Sequence, residues 1–380
     1  MKQRSLLVFE QTIKSEKTRK NYIDHLDRFL KFTKIKDCDS LLKIEQEQLQ
    51  RIIEDYVLYL KNTVNPNSVP TYMTGIKHFF VMNRKPIFWE IIQKMFPEKI
   101  KRAGYNAWST EQIKEMLEVN TTKRNKAIIH FMASTGSRIG IFDYPLQLKH
   151  LKDMGDDCKA ILLYADEVDE YYSFLTPEAT KAVDDYLRER QNDNEKFYQD
   201  TPIFREKYSL GISKPRQLTR AAVISMIHRT IKTSKVKRSK VGKHFDIQMD
   251  HGFRKRFNII LKLNNNINSN IAEKIMGHSI TIPLDNTYLP AQNPEVLKKC
   301  FDEFRKAIPE LTINDSLKKQ IELDKLTKEK SELENVNLIL KQTIKEKDEI
   351  TKKLHDGIIT TSTNKLIHKK VEEFLKSKNI

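Results

Sequence analysis

The sequence predicts an α+β chain that is mostly α-helical, and three observations predict it. Apolar residues recur at helical spacing through the first hundred positions, two β-prone runs flank an acidic turn near the middle, and the charged stretch after Pro309 contains no glycine until Gly357. Thr18, Tyr22, Leu26, Phe29 and Leu30 fall on one helical face, opposite Lys20, Asp24, Asp27, Arg28 and Lys31. A second helix is expected from about Glu45 to Lys61, on the stripe Leu49, Ile52, Ile53, Tyr56, Val57 and Leu60, and the run Asn62 to Asn67 with Pro66 ends it. Val69, Tyr72, Ile76, Phe79 and Phe80 mark a third, and Phe88, Ile91, Ile92 and Met95 a short fourth.

The stretch from Pro97 to Trp108 has no apolar period and carries Lys99, Lys101 and Arg102, which fits a basic linker. Ser109 and Gln112 stand at capping-box spacing, so a new helix and a new domain begin there. A helix over Lys123 to Met132 is stopped by Thr135-Gly136. Ala160 to Tyr164 and Tyr171 to Leu175 read as a hairpin around Asp166-Glu-Val-Asp-Glu170, and Thr176-Pro-Glu starts a helix through Leu187. The expected division is a helical domain over 1–98, a linker over 99–108, a mixed α/β domain over 109–310 and a helical tail over 311–380. In the tail Leu326, Leu333, Leu340 and Leu354 follow a seven-residue period with Leu323 and Ile344 at the other seam position, interrupted by Lys330, Asn337 and Lys347. It reads either as a coiled coil or as an amphipathic helix folded onto a neighbour.

The 380 residues hold 68 Lys+Arg against 51 Asp+Glu, a net charge of +17, while hydrophobic residues make up 39%. Such a surplus attracts polyanions, and nucleic acid is the commonest large one. The apolar run Leu6 to Phe9 is too short for a signal peptide and no segment is long enough to span a bilayer, so no membrane partner and a cytoplasmic location are expected. Cys38, Cys158 and Cys300 lie far apart without C-x-x-C pairing, which argues against disulfides and against a cysteine-ligated metal. Lys232 to Lys243 holds six Lys or Arg and no acid, an irregular segment that could lie along a phosphate backbone or be a solvated loop.

One ordered set carries chemistry: Arg138 just past the Thr135-Gly136 stop, His251-Gly-Phe-Arg254, Gly277-His278-Ser279, and Thr287-Tyr288 ten residues after the second histidine. Two guanidiniums, two imidazoles and a phenol suit attack on a phosphodiester. Bidentate guanidiniums neutralise the non-bridging oxygens as charge builds there, and Arg does this better than Lys because its fork matches two oxygens. The phenol, with an ordinary pKa of about 10, needs a base or a cationic surround to attack near neutral pH. The histidines can supply a proton acceptor and a further donor.

With these motifs in order, T-G-S-R-I at Thr135 to Ile139, H-G-F-R at His251 to Arg254, G-H-S at Gly277 to Ser279 and T-Y at Thr287-Tyr288, the sequence resembles the tyrosine recombinase (phage integrase) family over roughly residues 10 to 300. The segment from Ser15 is also similar to the first helix of that family's core-binding domain. The composition and the Glu170-Tyr-Tyr-Ser-Phe-Leu-Thr-Pro-Glu run look more like integrases of archaeal mobile elements. The resemblance implies a helical core-binding domain, a mixed α/β catalytic domain and a tetramer on double-stranded DNA. It implies Tyr288 as the nucleophile, Arg138 and Arg254 as the phosphate clamp, His251 at the tyrosine's proton and His278 as donor to a phosphate oxygen. No metal, ATP or other cofactor is expected.

Two positions depart from the family pattern. The hairpin tip is acidic where the family usually has a lysine that protonates the leaving 5′-oxygen, with Lys159 or a lysine near Lys240 as substitutes, and Ile141 stands where an acid is usual, with Asp143 two residues on. The competing expectations are a recombinase-derived DNA-binding protein lacking catalysis and a type IB topoisomerase-like DNA relaxing enzyme.

Overall fold

The structure is a computed structural model that describes residues 3–100, 104–207, 216–241, 244–278, 293–355 and 361–377. It divides into two compact units, Met1–Arg102 and Ala103–Ile380. Tyr288 and Thr287 lie outside the described residues.

The first unit is helical: α1 (Arg4–Gln11), α2 (Glu16–Thr33), α3 (Cys38–Lys43), α4 (Gln46–Thr63), α5 (Val69–Met82) and α6 (Trp89–Lys94). The apolar stripes of α2, α4 and α5 meet in a core of Leu26, Phe29, Leu49, Ile53, Tyr56, Leu60, Ile76, Phe79 and Phe80. Ser15 caps α2 through its hydroxyl, and Asn65 caps the 3₁₀ turn at Pro66–Ser68 that leads into α5. Helices α1 and α3 are additions to the four expected. Each is short, and each buries only two side chains, too few to write a periodic stripe.

In the second unit α7 (Thr110–Glu118) opens on the expected capping box of Ser109 and Gln112, and α8 (Lys123–Thr135) follows. Strands β1 (Leu151–Gly155), β2 (Cys158–Leu163) and β3 (Tyr171–Leu175) form an antiparallel sheet in that order. The expected hairpin is β2–β3, with Ile161 opposite Ser173 and Leu163 opposite Tyr171. Strand β1 was not expected: Leu-Lys-Asp-Met-Gly is an edge strand with little apolar alternation, joined to β2 by Asp156 and Asp157, both at positive φ (50° and 55°) as in a tight hairpin turn. Side chains alternate across the sheet. Ile161, Leu163, Tyr171 and Leu175 face a core with Trp108, Phe131, Phe204 and Phe253, while Cys158, Ala160 and Phe174 face a second core with Phe257, Leu261, Phe301 and Phe304.

Helix α9 (Pro177–Asn192), capped by Thr176, packs on α8. After α10 (Arg220–Thr233) the basic segment is not wholly irregular: Lys240–Val241 (β4) pairs with His244–Phe245 (β5), and the guanidinium of Arg238 stacks 4.0 Å from the centre of the Phe245 ring. The chain continues through α11 (His251–Leu263), α12 (Ser269–Ile275), α13 (Pro294–Arg305) and α14 (Ile308–Leu311). It ends in α15 (Asp315–His355) and α16 (Thr361–Ser377). Among the residues of α15 whose burial is described, nearly all are exposed, including Leu326, Leu333 and Leu340 of the expected seam. The three cysteines are free and buried, and burial pushes their thiols up, to about 11 for Cys38, 12 for Cys158 and 11 for Cys300.

A buried ion triad closes the loop after α9. Glu195 receives Arg190 at 2.5 Å and Arg205 at 2.6 Å, and Arg190 also donates to the carbonyls of Pro202 and Ile203. Burial pushes the Glu195 carboxyl up, but the two guanidiniums hold it below the ordinary range. Its contribution is therefore present above the ordinary carboxylate pKa and lost as pH falls through the lower, folded-state value. Glu195→Gln, which removes the buried carboxylate that Arg190 and Arg205 share, is expected to cost about 3 kcal/mol in urea unfolding at neutral pH, with the gap to wild type closing in acid.

Candidate active site

Arg138 is positioned by the way α8 ends. Gly136 adopts φ +56° and donates to the Met132 carbonyl, and a Cβ there would overlap the Phe257 ring, so only glycine turns the chain here. Ser137 is buried, with its hydroxyl 3.0 Å from that of Thr135, and Arg138 emerges at the start of the 3₁₀ turn Ile139–Asp143. Its Nη1 donates to the Gly277 carbonyl at 3.0 Å, and the side chain stays exposed.

Arg254 comes from α11, whose first turn is seated on Trp108. The indole Nε1 donates to the Met249 carbonyl at 2.8 Å, and the Trp108 backbone N–H donates to the Gly252 carbonyl at 3.2 Å. Arg254 is 7% exposed and donates from Nη1 to the Gly136 carbonyl and from Nη2 to the Met276 carbonyl, both at 2.8 Å. Burial pushes its pKa down and the neighbouring Tyr171 pushes it back up, while Arg138 adds a further downward push. His251 stands three residues earlier at the exposed start of α11, on the side of the helix that carries Arg254.

His278 follows the Schellman-type end of α12. Gly277, at φ +57°, donates to the Lys274 carbonyl and His278 N–H to the Glu273 carbonyl at 3.1 Å, which swings the imidazole back over the helix. Its Nδ1 meets Glu273 Oε2, and Glu273 Oε1 meets the ammonium of Lys262 from α11. Burial lowers the His278 pKa and both arginines push the same way, while Glu273 opposes them. Arg138, Arg254 and His278 are thus brought together around the carbonyls of Gly136, Met276 and Gly277.

Sequence reading missed three contributors. The Tyr171 phenol, 5% exposed, lies against Gly277 and close enough to both guanidiniums to feel them, with no well-formed hydrogen bond to its hydroxyl. Tyr164, at φ +55°, packs edge-on against Tyr144 and burial pushes its phenol up to about 12. Glu273 is the third. Nothing in their spacing marks them, because strand register and the α12 turn bring them in. Lys159, a substitute for the absent hairpin-tip lysine, is held by both oxygens of Asp184 at 2.5 and 2.7 Å, at the end of β2 away from Tyr164 and about 16 Å along the strand. Ile141 is fully buried and Asp143 pairs with Arg220 at 3.3 Å. Among the described residues no group of three or more His, Cys, Asp or Glu could hold a metal ion, and no helix is long and apolar enough to cross a membrane.

Gly277→Ala is expected to destabilise the protein by about 2 kcal/mol or more, since the new methyl meets both a left-handed backbone and the Tyr171 ring. Adding Tyr171→Ala should recover part of the loss, because it removes the overlap but not the strain. A double-mutant cycle of urea midpoints measures this, and simple additivity would sink the packing account.

No family model and no curated protein matches the sequence. Solved structures do match. A lambda integrase dimer bound to a COC′ core site has a TM-score of 0.50 at 11% identity, covering 76% of this chain and 94% of that one. The Tn1549 transposon integrase in complex with transposon right end DNA has a TM-score of 0.47 at 12% identity, covering 78% and 98%. The XerA recombinase has a TM-score of 0.35 at 20% identity, covering 79% and 98%. At such identities the likeness is one of fold, and the lambda integrase match carries it. Mostly helical, with a small antiparallel sheet, the chain has the tyrosine recombinase fold.

Proposed function

We propose that this protein is a site-specific DNA recombinase that cuts and rejoins DNA through a 3′-phosphotyrosyl intermediate, without metal or ATP. The observation that supports this most is the convergence of Arg138 and Arg254 on neighbouring backbone carbonyls with His278 beside them. Two guanidiniums held by the backbone have little left to reorganise when a phosphate arrives, which is what stabilising a pentavalent transition state requires. In this reading the Tyr288 oxygen bonds to phosphorus as the bond to the 5′-oxygen breaks. The phenol proton passes to His251, and the 5′-oxygen takes a proton from solvent water as it leaves, giving a hydroxyl. His278 donates to a non-bridging oxygen. The phosphotyrosine keeps the energy of the broken ester, so the 5′-hydroxyl of a second strand can reverse the step. The +17 charge supports duplex DNA as partner. The helical first unit would close on the duplex, and strand exchange between two duplexes requires a tetramer, to which the tail helices would contribute.

The acidic hairpin tip and the pairing of Lys159 with Asp184 favour one other reading, a DNA-binding relative without catalysis. A single experiment separates them. Protein in EDTA is incubated with nicked duplexes that trap cleavage, taken from its genomic neighbourhood, and run on a denaturing gel. Wild type is expected to give a covalent adduct and Tyr288→Phe none, with duplex binding within about twofold of wild type. An adduct surviving in Tyr288→Phe would refute the nucleophile, and binding without any adduct in wild type would favour the inactive relative.

A further inference from the structure

We infer that Glu273 is a positioning residue of this site: it holds the proton of His278 on Nδ1, so that His278 meets the phosphate through Nε2 as an imidazolium. The inference rests on the recombinase reading above and adds a residue and a protonation state to it.

Glu273 receives two groups, Lys262 Nζ on Oε1 and His278 Nδ1 on Oε2. Burial pushes its pKa up, but these two partners hold it below the ordinary range, so it is ionised at neutral pH and has no proton to give. An ionised carboxylate only accepts, and the ring atom facing it must therefore be N–H. A neutral imidazole has one N–H. With that proton on Nδ1, Nε2 carries a lone pair and would repel a phosphate oxygen rather than donate to it. Donation from Nε2 requires a second proton on the ring.

The charges around the ring decide when that proton is present. Arg254 from α11 and Arg138 from the 3₁₀ turn disfavour it, Glu273 from α12 favours it, and Lys262 weakens Glu273 from the far side. In the empty site burial and the two guanidiniums prevail, and the His278 pKa lies below its ordinary value. A bound phosphodiester anion offsets the guanidiniums, leaving Glu273 as the counter-charge that keeps the imidazolium. Phosphate binding thereby couples to proton uptake at His278, and the loss of Glu273's charge should weaken the coupling without removing the hydrogen bond, since a glutamine oxygen can still accept from Nδ1. The backbone turn at Gly277 makes the arrangement specific, because the bond from His278 N–H to the Glu273 carbonyl fixes the imidazole over this one side chain.

The test uses the full chain with ¹⁵N-labelled histidine, in wild type, Glu273→Gln and Glu273→Ala, with His278→Asn to assign the signal. Wild type is expected to show the Nδ1–H tautomer, Glu273→Gln to keep it, and Glu273→Ala to lose it. The His278 midpoint should fall by about one pH unit in Glu273→Gln, with and without bound duplex. Single-turnover cleavage of a nicked duplex should lose rate as pH rises through the His278 midpoint, and in Glu273→Gln this limb should move down by the same amount. The variant would then be roughly tenfold slower on the alkaline side and regain rate in mild acid, a rescue that a merely structural defect would not give. An Nε2–H tautomer in wild type overturns the inference, and so does a Glu273→Gln profile that superimposes on wild type. A wild-type chain with the Nδ1–H tautomer but no adduct overturns the recombinase reading and the catalytic half of the inference with it, while the carboxylate–imidazole pair stands as structure.

Discussion

The second unit turns on one buried guanidinium. Arg254 has almost no contact with water, and a buried cation is costly unless its donors are met. They are met by the carbonyls of Gly136 and Met276, the residues at which α8 and α12 give way to turns. Carbonyls at helix ends lack partners within their own helix, so each side of the arrangement satisfies the other. A guanidinium suits the task because Nη1 and Nη2 each carry donors, so one carbonyl is met by each nitrogen in a fixed planar fork. Removing either glycine bend would move a carbonyl that the arginine needs.

The same arrangement sets the electrostatics. Arg138 fastens to the Gly277 carbonyl, one residue from the carbonyl that holds Arg254, so two like charges are kept close by neutral backbone dipoles rather than by acids. Acids are kept one step back: Glu273 touches the histidine and a lysine, and Asp143 is taken up by Arg220. The cluster thus remains short of negative charge where an anion would sit. Tyr171 supports it from below, its ring filling the space that a side chain at Gly277 would occupy.

Much of this was legible in the sequence, for identifiable reasons. Helices α2, α4 and α5 announce themselves because each buries one continuous stripe, and the end of α8 because Thr135-Gly136 is a stop signal with a physical cause. Arg138, Arg254 and His278, which the fold brings together, stand out in the sequence because their order and their chemistry agree. Strand β1 was hidden because an edge strand with exposed Lys152 and Asp153 has no apolar alternation to show. Glu273 was hidden for a different reason. Its importance comes from a five-residue turn and a lysine eleven positions away on another helix, and neither the turn's closure nor the helix pairing is written in periodicity. Lys159 shows the converse: a residue type singled out for its chemistry whose surroundings, a carboxylate on α9, no spacing reveals.

The three thiols have a practical consequence. Each of Cys38, Cys158 and Cys300 is enclosed and held in the protonated form well above neutral pH, and thiol-directed reagents attack the thiolate. The folded chain is therefore close to blank toward maleimides and mild oxidants without any cysteine being replaced. A single cysteine introduced on the open face of α15 would be the one that reacts, so a fluorophore or spin label can be placed on the tail while the cores that enclose the native sulfurs stay as they are.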